Sequence, residues 1–467
     1  MLNYSAIIIF TFLERRKLCR KKFTILMKLA RGSQCHRCAN VLKSIKKILF
    51  STEFIEKHRE SPTDFTRNRK FPFQLLVCFL INFVKGSYQA ELDRFFQAIT
   101  RSPIARRVVS KAAFTKARMK LKSEAFIELN QHLIKGFDAS FPYQTWLGFR
   151  LLVIDGTTLT LPKIKEIIDH FGVWNGRQGE PCPAARASQM YDPLNRMTIK
   201  ALIHPKSIGE REQARQLLSG ILPNSLILLD RGYPAFWLFK LILIQGAEFC
   251  ARMPLNWKIV RQFARSGKKE KIISLKVTPS VIKYCKELGL DLKPMKLRLI
   301  RVLLDTGESE ILITSLIDKA SRPVEIFGEL YHERWPVEED YKIMKCRMEM
   351  EAFTGKSVLS INQDFHANVF AKNLVSMLTF SAQTDLKSSG IKEKHSHQIN
   401  FSQAIGKAKN LVVLLFQRTT ATVIKLIQEF IKVVSITTEP VRPGRKYPRN
   451  HKTTKKRYYQ NYKQVLS

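Results

Sequence analysis

The chain has 467 residues, with 79 Lys and Arg against 39 Asp and Glu, and a formal net charge of +40 at pH 7. Hydrophobic residues make up 45%, enough for a substantial core, which excludes global disorder. So large an excess of cations calls for a polyanionic partner, nucleic acid foremost, since uncompensated charge of this size opposes a compact state.

Eight cysteines lie at irregular spacing, and only Cys35 and Cys38 form a CxxC pair. Two thiols are half of a structural zinc site, and the spacing suits no disulfide framework, so a reducing, intracellular compartment is expected.

Residues 1–50 carry twelve Lys and Arg and one acid, Glu14. With the residues up to 64 they read as a basic leader, solvated or bound to phosphate. Its apolar run SAIIIFTFL precedes the charges, the reverse of a signal peptide. That run is also too short to span a bilayer, as is FQLLVCFLINFV at 73–84, so no membrane segment is expected. Residues 65–145 follow a helical period and are expected to form a helical DNA-binding domain. In SKAAFTKARMKLKSEAF (110–126), Ser110 is placed to cap a helix with Phe114, Ala117 and Leu121 on its apolar face. Lys111, Arg118 and Lys122 form a separate stripe, which either faces DNA or is an ordinary solvated face.

From about 146 the pattern changes to alternating strands and helices. FRLLVID, TTLTLP, RMTIKALIHP, SLILLDRGY and AEFCARM read as strands, and EREQARQLLSGILP and PAFWLFKLILIQG as helices. This predicts an α/β domain with a mixed sheet over 146–252. Asp155 and Asp230 fall at the C-terminal ends of buried strands, where open α/β sheets place their sites. In 253–325, KIISLKV, KLRLIRVLL and EILITSL alternate like antiparallel strands, a β-rich insertion. Residues 326–380 return to helix at YHERWPVEEDYKIMKCRMEM. Residues 381–467 are read as a helical region followed by a basic tail, where tyrosines interleave with cations as suits a phosphate-binding arm.

The acids of residues 331–349 stand out in so basic a chain. On a helix, Tyr331, Arg334, Glu338 and Lys345 share one narrow arc, with Pro336 in the first turn. Glu339, Asp340 and Glu349 point elsewhere and read as surface acids. Alone, the stripe could be a salt-bridge ladder. Together with Asp155 and Asp230 it gives three carboxylates that would repel one another without cations between them. Oxygen ligands of this kind suit Mg²⁺ or Mn²⁺, and two such ions can drive an in-line phosphoryl displacement.

These residues resemble those of bacterial insertion-sequence transposases of the DDE type, in the group marked by the YREK signature Y-x2-R-x3-E-x6-K. Tyr331, Arg334, Glu338 and Lys345 match it, with LLVIDGTTL around Asp155 and LLDRGY around Asp230, and the likeness runs over roughly 65–450. The resemblance implies a ribonuclease H-like mixed-sheet catalytic core, interrupted by the β-rich insertion and flanked by helical N- and C-terminal regions. It implies Asp155, Asp230 and Glu338 as the catalytic and metal-binding triad, holding Mg²⁺ (Mn²⁺ can substitute), with two ions. Tyr331, Arg334 and Lys345 would contact the DNA ends. The enzyme would hydrolyse element ends and join the freed 3′-hydroxyls to target DNA, as a homodimer on double-stranded DNA of the bacterial chromosome in the cytoplasm, with no membrane role. Some relatives form a DNA hairpin with the help of an aromatic side chain, but Trp257, in the insertion, reads as core packing. Two alternatives stay open: an inactive, repressor-like DNA-binding derivative, and a metal-dependent nuclease without strand transfer.

Overall fold

The computed structural model describes residues 34–442 apart from 68, 175–180, 305–306, 354 and 389–395. Residues 1–33 of the leader and the basic tail from 443 lie outside the described residues.

The N-terminal part is helical: α1 (residues 34–49), α2 (Thr52–His58), α3 (Phe73–Leu80), α4 (Tyr88–Thr100), α5 (Lys111–Arg118) and α6 (Glu124–Ser140). Along α1, Cys35, Cys38, Val41, Leu42, Ile45 and Leu49 recur at helical spacing and are buried, while Arg37, Lys43 and Lys47 stay exposed. From residue 34 onward the basic leader is therefore part of the packed structure and not a solvated arm. Burial pushes the Cys38 thiol up to about 12, which marks it as a core side chain.

Ser110 caps α5 as expected, its hydroxyl accepting from the Ala113 amide at 3.2 Å. The single helix expected over 110–126 is two. The chain turns after Arg118 because Leu121 is drawn into a β-bridge with Arg59 and the Lys122 amide donates to the His58 carbonyl at 2.9 Å.

The centre of the molecule is a nine-stranded sheet built from β1 (Arg150–Thr160), β2 (Val173–Trp174), β3 (Cys182–Asp192), β4 (Met197–His204), β5 (Ser225–Leu229), β6 (Glu248–Arg252), β7 (Glu270–Leu275), β8 (Met295–Leu303) and β9 (Ser309–Thr314). Helix α7 (Lys165–Phe171) lies between β1 and β2, α8 (Glu210–Leu218) between β4 and β5, and α9 (Phe236–Ile244) between β5 and β6. Strands β1, β3 and β4 form an antiparallel meander, and β5 and β6 follow parallel to β1, in the order β4-β3-β1-β5-β6. This is the ribonuclease H-like mixed sheet that the resemblance implied. Strand β3 was not among those expected from the sequence: its alanines and polar residues lack the β-branched alternation that marks a strand.

The segment after β6 adds α10 (Lys258–Arg265) and α11 (Pro279–Glu287) to the three expected strands. Its strands are continuous with the same sheet, since β9 pairs antiparallel with β6 and with β8, which pairs with β7. Pairing satisfies the row of backbone groups that β6 would otherwise leave open at an edge.

After the sheet come α12 (Ile326–His332), α13 (Pro336–Lys342), a π-helical turn (Ile343–Arg347), the long α14 (Val358–Ser388), β10 (His397–Ile399), α15 (Phe401–Ala408), α16 (Leu411–Gln417), α17 (Thr420–Ile436) and β11 (Thr438–Pro440), which pairs with β10. Side chains of the central strands alternate between two cores. Leu151, Val153, Leu226 and Leu228 face one that includes the N-terminal helices and α12 to α17. Leu152, Ile154, Ile227 and Leu229 face the other, formed with α8, α9, α10 and α11. No helix among the described residues is long and apolar enough to cross a membrane.

Candidate active site

Strands β1 and β5 are parallel neighbours, with Ile154 opposite Leu229 as their last register pair. Asp230 directly follows the end of β5, as expected, but Asp155 lies midway along β1, because the segment TTLTLP continues the same strand on its pairing with β3; the two acids follow the last register pair of neighbouring strands. By the alternation of the strands both acids emerge on the face covered by α12 and α13. Gly156 and Gly232 each follow an acid closely, and Glu210, the first residue of α8, leans over both. A Cβ at Gly232 would meet its Oε2 at 3.5 Å, and one at Gly156 its Cγ at 3.9 Å.

The YREK segment is held against these strands by its own break. Helix α12 ends at His332, and α13 begins at Pro336, whose missing N–H is harmless at that position. Arg334 lies in the gap, 5% exposed, and donates to Glu338 Oε1 at 2.9 Å. Tyr331 is equally buried, with its hydroxyl 3.3 Å from Asp230 Oδ1 and 3.4 Å from the Leu229 carbonyl. Tyr341 donates to the Asp155 carbonyl at 2.8 Å, and Lys345 Nζ to the Thr158 carbonyl at 2.6 Å. The fold thus brings Tyr331 to Asp230 just past β5, Arg334 to Glu338, and Lys345 to the second half of β1.

Electrostatics at the strand ends are strained. Burial pushes the Asp155 carboxyl up to about 6; the Gly156 amide and Arg334 draw it down, while Asp230 and Glu338 push it further up. The three acids therefore sense one another, with the Arg334 guanidinium as the compensating charge.

Several expected site residues are placed differently. Arg118 does not face DNA: it is 4% exposed, with Nη2 2.6 Å from Asp364 Oδ1 and Nε 2.6 Å from Gln363 Oε1. Lys122 lies beyond the end of α5 and so shares no stripe with the exposed Lys111. Tyr331 and Arg334 are turned inward onto the acids, not outward to a DNA surface: both are buried, with their polar atoms on Asp230 and Glu338. Asp340 is not a surface acid: at 3% exposed it pairs with fully buried Lys372. Trp257 is half-buried against the second core at the start of α10. Glu210 and Lys372 went unnoticed in the sequence, where nothing separates them from other helical charges.

The donor set at the strand ends is carboxylate alone, without His or Cys, which suits a hard divalent cation. The mutual repulsion felt by Asp155 is the kind of charge excess that such an ion relieves. As placed, no three His, Cys, Asp or Glu side chains among the described residues are close enough to share an ion, and Glu338 is turned toward Arg334.

Residues 146–374 match the family model of the transposase DDE domain. The chain is 24% identical over 399 residues to the transposase InsG for insertion sequence element IS4 of Escherichia coli (strain K12), covering 84% of this chain and 87% of that protein. The piggyBac transposase in its synaptic complex with hairpin DNA, solved by cryo-EM, superposes with a TM-score of 0.43 at 10% identity, over 86% of each chain.

Proposed function

The chain belongs to the DDE transposase family, and from that premise we propose that it binds the ends of its insertion element, cuts them by metal-dependent hydrolysis and joins the freed 3′-hydroxyls to target DNA. The observation that supports this reading is the electrostatic influence of Asp230 and Glu338 on Asp155, three acids from separate parts of a chain of net charge +40.

Asp155, Asp230 and Glu338 would hold the two divalent ions, Mg²⁺ or Mn²⁺, that members of this family generally use. The chemistry supplied by ions held there would be activation of the attacking oxygen and stabilisation of the leaving one. Tyr331 keeps Asp230 oriented by a hydrogen bond to its carboxylate, and Arg334 restrains Glu338 through the 2.9 Å contact. Glu338 must turn from Arg334 to serve as a ligand, and the buried guanidinium then remains as the compensating charge beside the acids. Lys345, at the rim beside β1, and exposed Lys111 would add phosphate contacts, and two copies of the chain would act on paired element ends. Contacts of this kind give affinity without sequence readout.

Glu338→Gln tests the reading. It keeps the volume and removes one negative charge, so single-turnover cleavage of an end-containing duplex in Mn²⁺ should fall by about three orders of magnitude or more. End binding in Ca²⁺, followed by gel shift, should be unchanged. Asp155→Asn and Asp230→Asn should behave alike. Cleavage by Glu338→Gln at the wild-type rate would sink the proposal. Pre-cut ends with free 3′-hydroxyls, offered with a target plasmid, separate transposition from simple nuclease action, since only a transposase joins them.

A further inference from the structure

Helix α13 carries Glu338 but has little means of holding its own direction. It has seven residues, less than two full turns, and is bounded by the break at 333–335 and by the π-helical turn at 343–347. So short a helix is not stable by itself, and its orientation must come from tertiary contacts.

The strongest such contact lies two residues beyond Glu338. Lys372 on α14, with no exposed surface, places Nζ 2.6 Å from both Asp340 carboxylate oxygens and 2.7 Å from Thr198 Oγ1 on β4. Gln189 on β3 donates to Asp340 Oδ2 at 3.0 Å and accepts from Thr198 Oγ1 at 2.8 Å. Gln189 is also the register partner of Asp155 across the β1–β3 ladder. One closed polar network therefore connects the strand opposite the first acid to the helix that carries the third. Buried charges are costly unless fully partnered, and these are fully partnered.

We propose that the Asp340–Lys372 pair is a positioning device for the metal site: it sets the rotation and height of α13, and so where Glu338 stands relative to Asp155 and Asp230. The inference rests on the reading of Glu338 as a metal ligand. Asp340 and Lys372 are both buried and spent on each other, so the role assigned to them is positioning and not catalysis. A merely structural pair would leave the metal requirement of a folded variant unchanged, whereas a positioning pair would shift it.

The test uses the full-length Asp340→Asn/Lys372→Met double variant, which removes both charges at similar volume and leaves no ion unpaired. Circular dichroism and thermal melting report folding. Mn²⁺ affinity of the DNA-free protein is measured by electron paramagnetic resonance, and the half-saturating Mn²⁺ concentration by end cleavage. The expected result is a folded protein with end binding intact in Ca²⁺, Mn²⁺ affinity weakened about tenfold, and cleavage at saturating Mn²⁺ reduced about a hundredfold, the usual effect of an ångström-scale misplacement. Wild-type Mn²⁺ affinity and cleavage in the folded double variant would overturn the inference. If the double variant does not fold, Gln189→Met decides instead, since it removes the tie to β3 without touching a charge. A weakened Mn²⁺ affinity then supports positioning, and an unchanged one overturns it. Glu338→Gln measured alongside keeps the two readings apart: loss of Mn²⁺ affinity there with none in the double variant rejects positioning alone, while wild-type behaviour in Glu338→Gln rejects the triad itself.

Discussion

Arg118 and Glu338 show how differently one charge behaves in different surroundings. Arg118 is sealed beneath α14, where it satisfies Asp364, Gln363 and the Ser360 carbonyl, so removing it strands a carboxylate away from water. Arg118→Met should cost about 3–5 kcal/mol in urea unfolding, with DNA affinity per folded molecule unchanged. A loss of affinity at full stability would instead return Arg118 to the DNA surface. Asp155, Asp230 and Glu338 stood out in the sequence as acids in a basic chain, next to apolar runs or within the YREK pattern, and the structure has them acting on one another electrostatically. Arg118 and Asp340 were misjudged for a shared reason. A helical wheel gives the direction of a side chain, but whether another helix covers that direction depends on α14, more than two hundred residues away from Arg118.

At the scale of elements, apolar periodicity located most strands and helices, and register did the rest. It could not show β3, whose alanines suit close packing between β1 and β4 but carry no strand signature. Nor could it show that the helix expected over 110–126 is interrupted, since the interruption comes from a bridge to Arg59 on a distant part of the chain. Helix α14 also buries a titratable group with consequences for stability. Burial, and then the nearby His204, lower the His366 imidazole from 6.5 to about 4. The folded state therefore holds His366 neutral, and its contribution is complete above pH 6.5. As pH falls from there toward 4, the unfolded chain takes up a proton that the folded one refuses, and stability is lost. Between pH 7.5 and pH 5 this one group should remove about 2 kcal/mol. His366→Gln should flatten that part of the curve in urea titrations at the two pH values. An unchanged slope would show that the imidazole has access to solvent.

For the molecule as a whole, the dominant quantity is charge. End affinity should fall steeply with salt, by close to one power of salt concentration for every phosphate neutralised. Ending the chain at Arg442 removes the basic tail, and the slope of log affinity against log salt should become shallower. An identical slope would show that the tail leaves DNA untouched. Overall charge and the α/β alternation were plain in the sequence, while the way the parts are tied together was not. That tie is α14, which packs on α6 from the N-terminal part, on β4 of the sheet, and on α15 and α17 that follow it. In a growing chain this has a cost in time. Helix α6 leaves the ribosome on the order of 200 residues before α14 exists. At about 5–20 residues per second, the apolar face of α6 waits roughly ten to forty seconds for its partner. Leu129, Leu133 and Phe137, fully buried at the end, lie on a helix that has α1, α2 and then β4 to pack on during that interval but not α14. Synthesis broken off before residue 358 should leave a fragment that aggregates or is captured by chaperones.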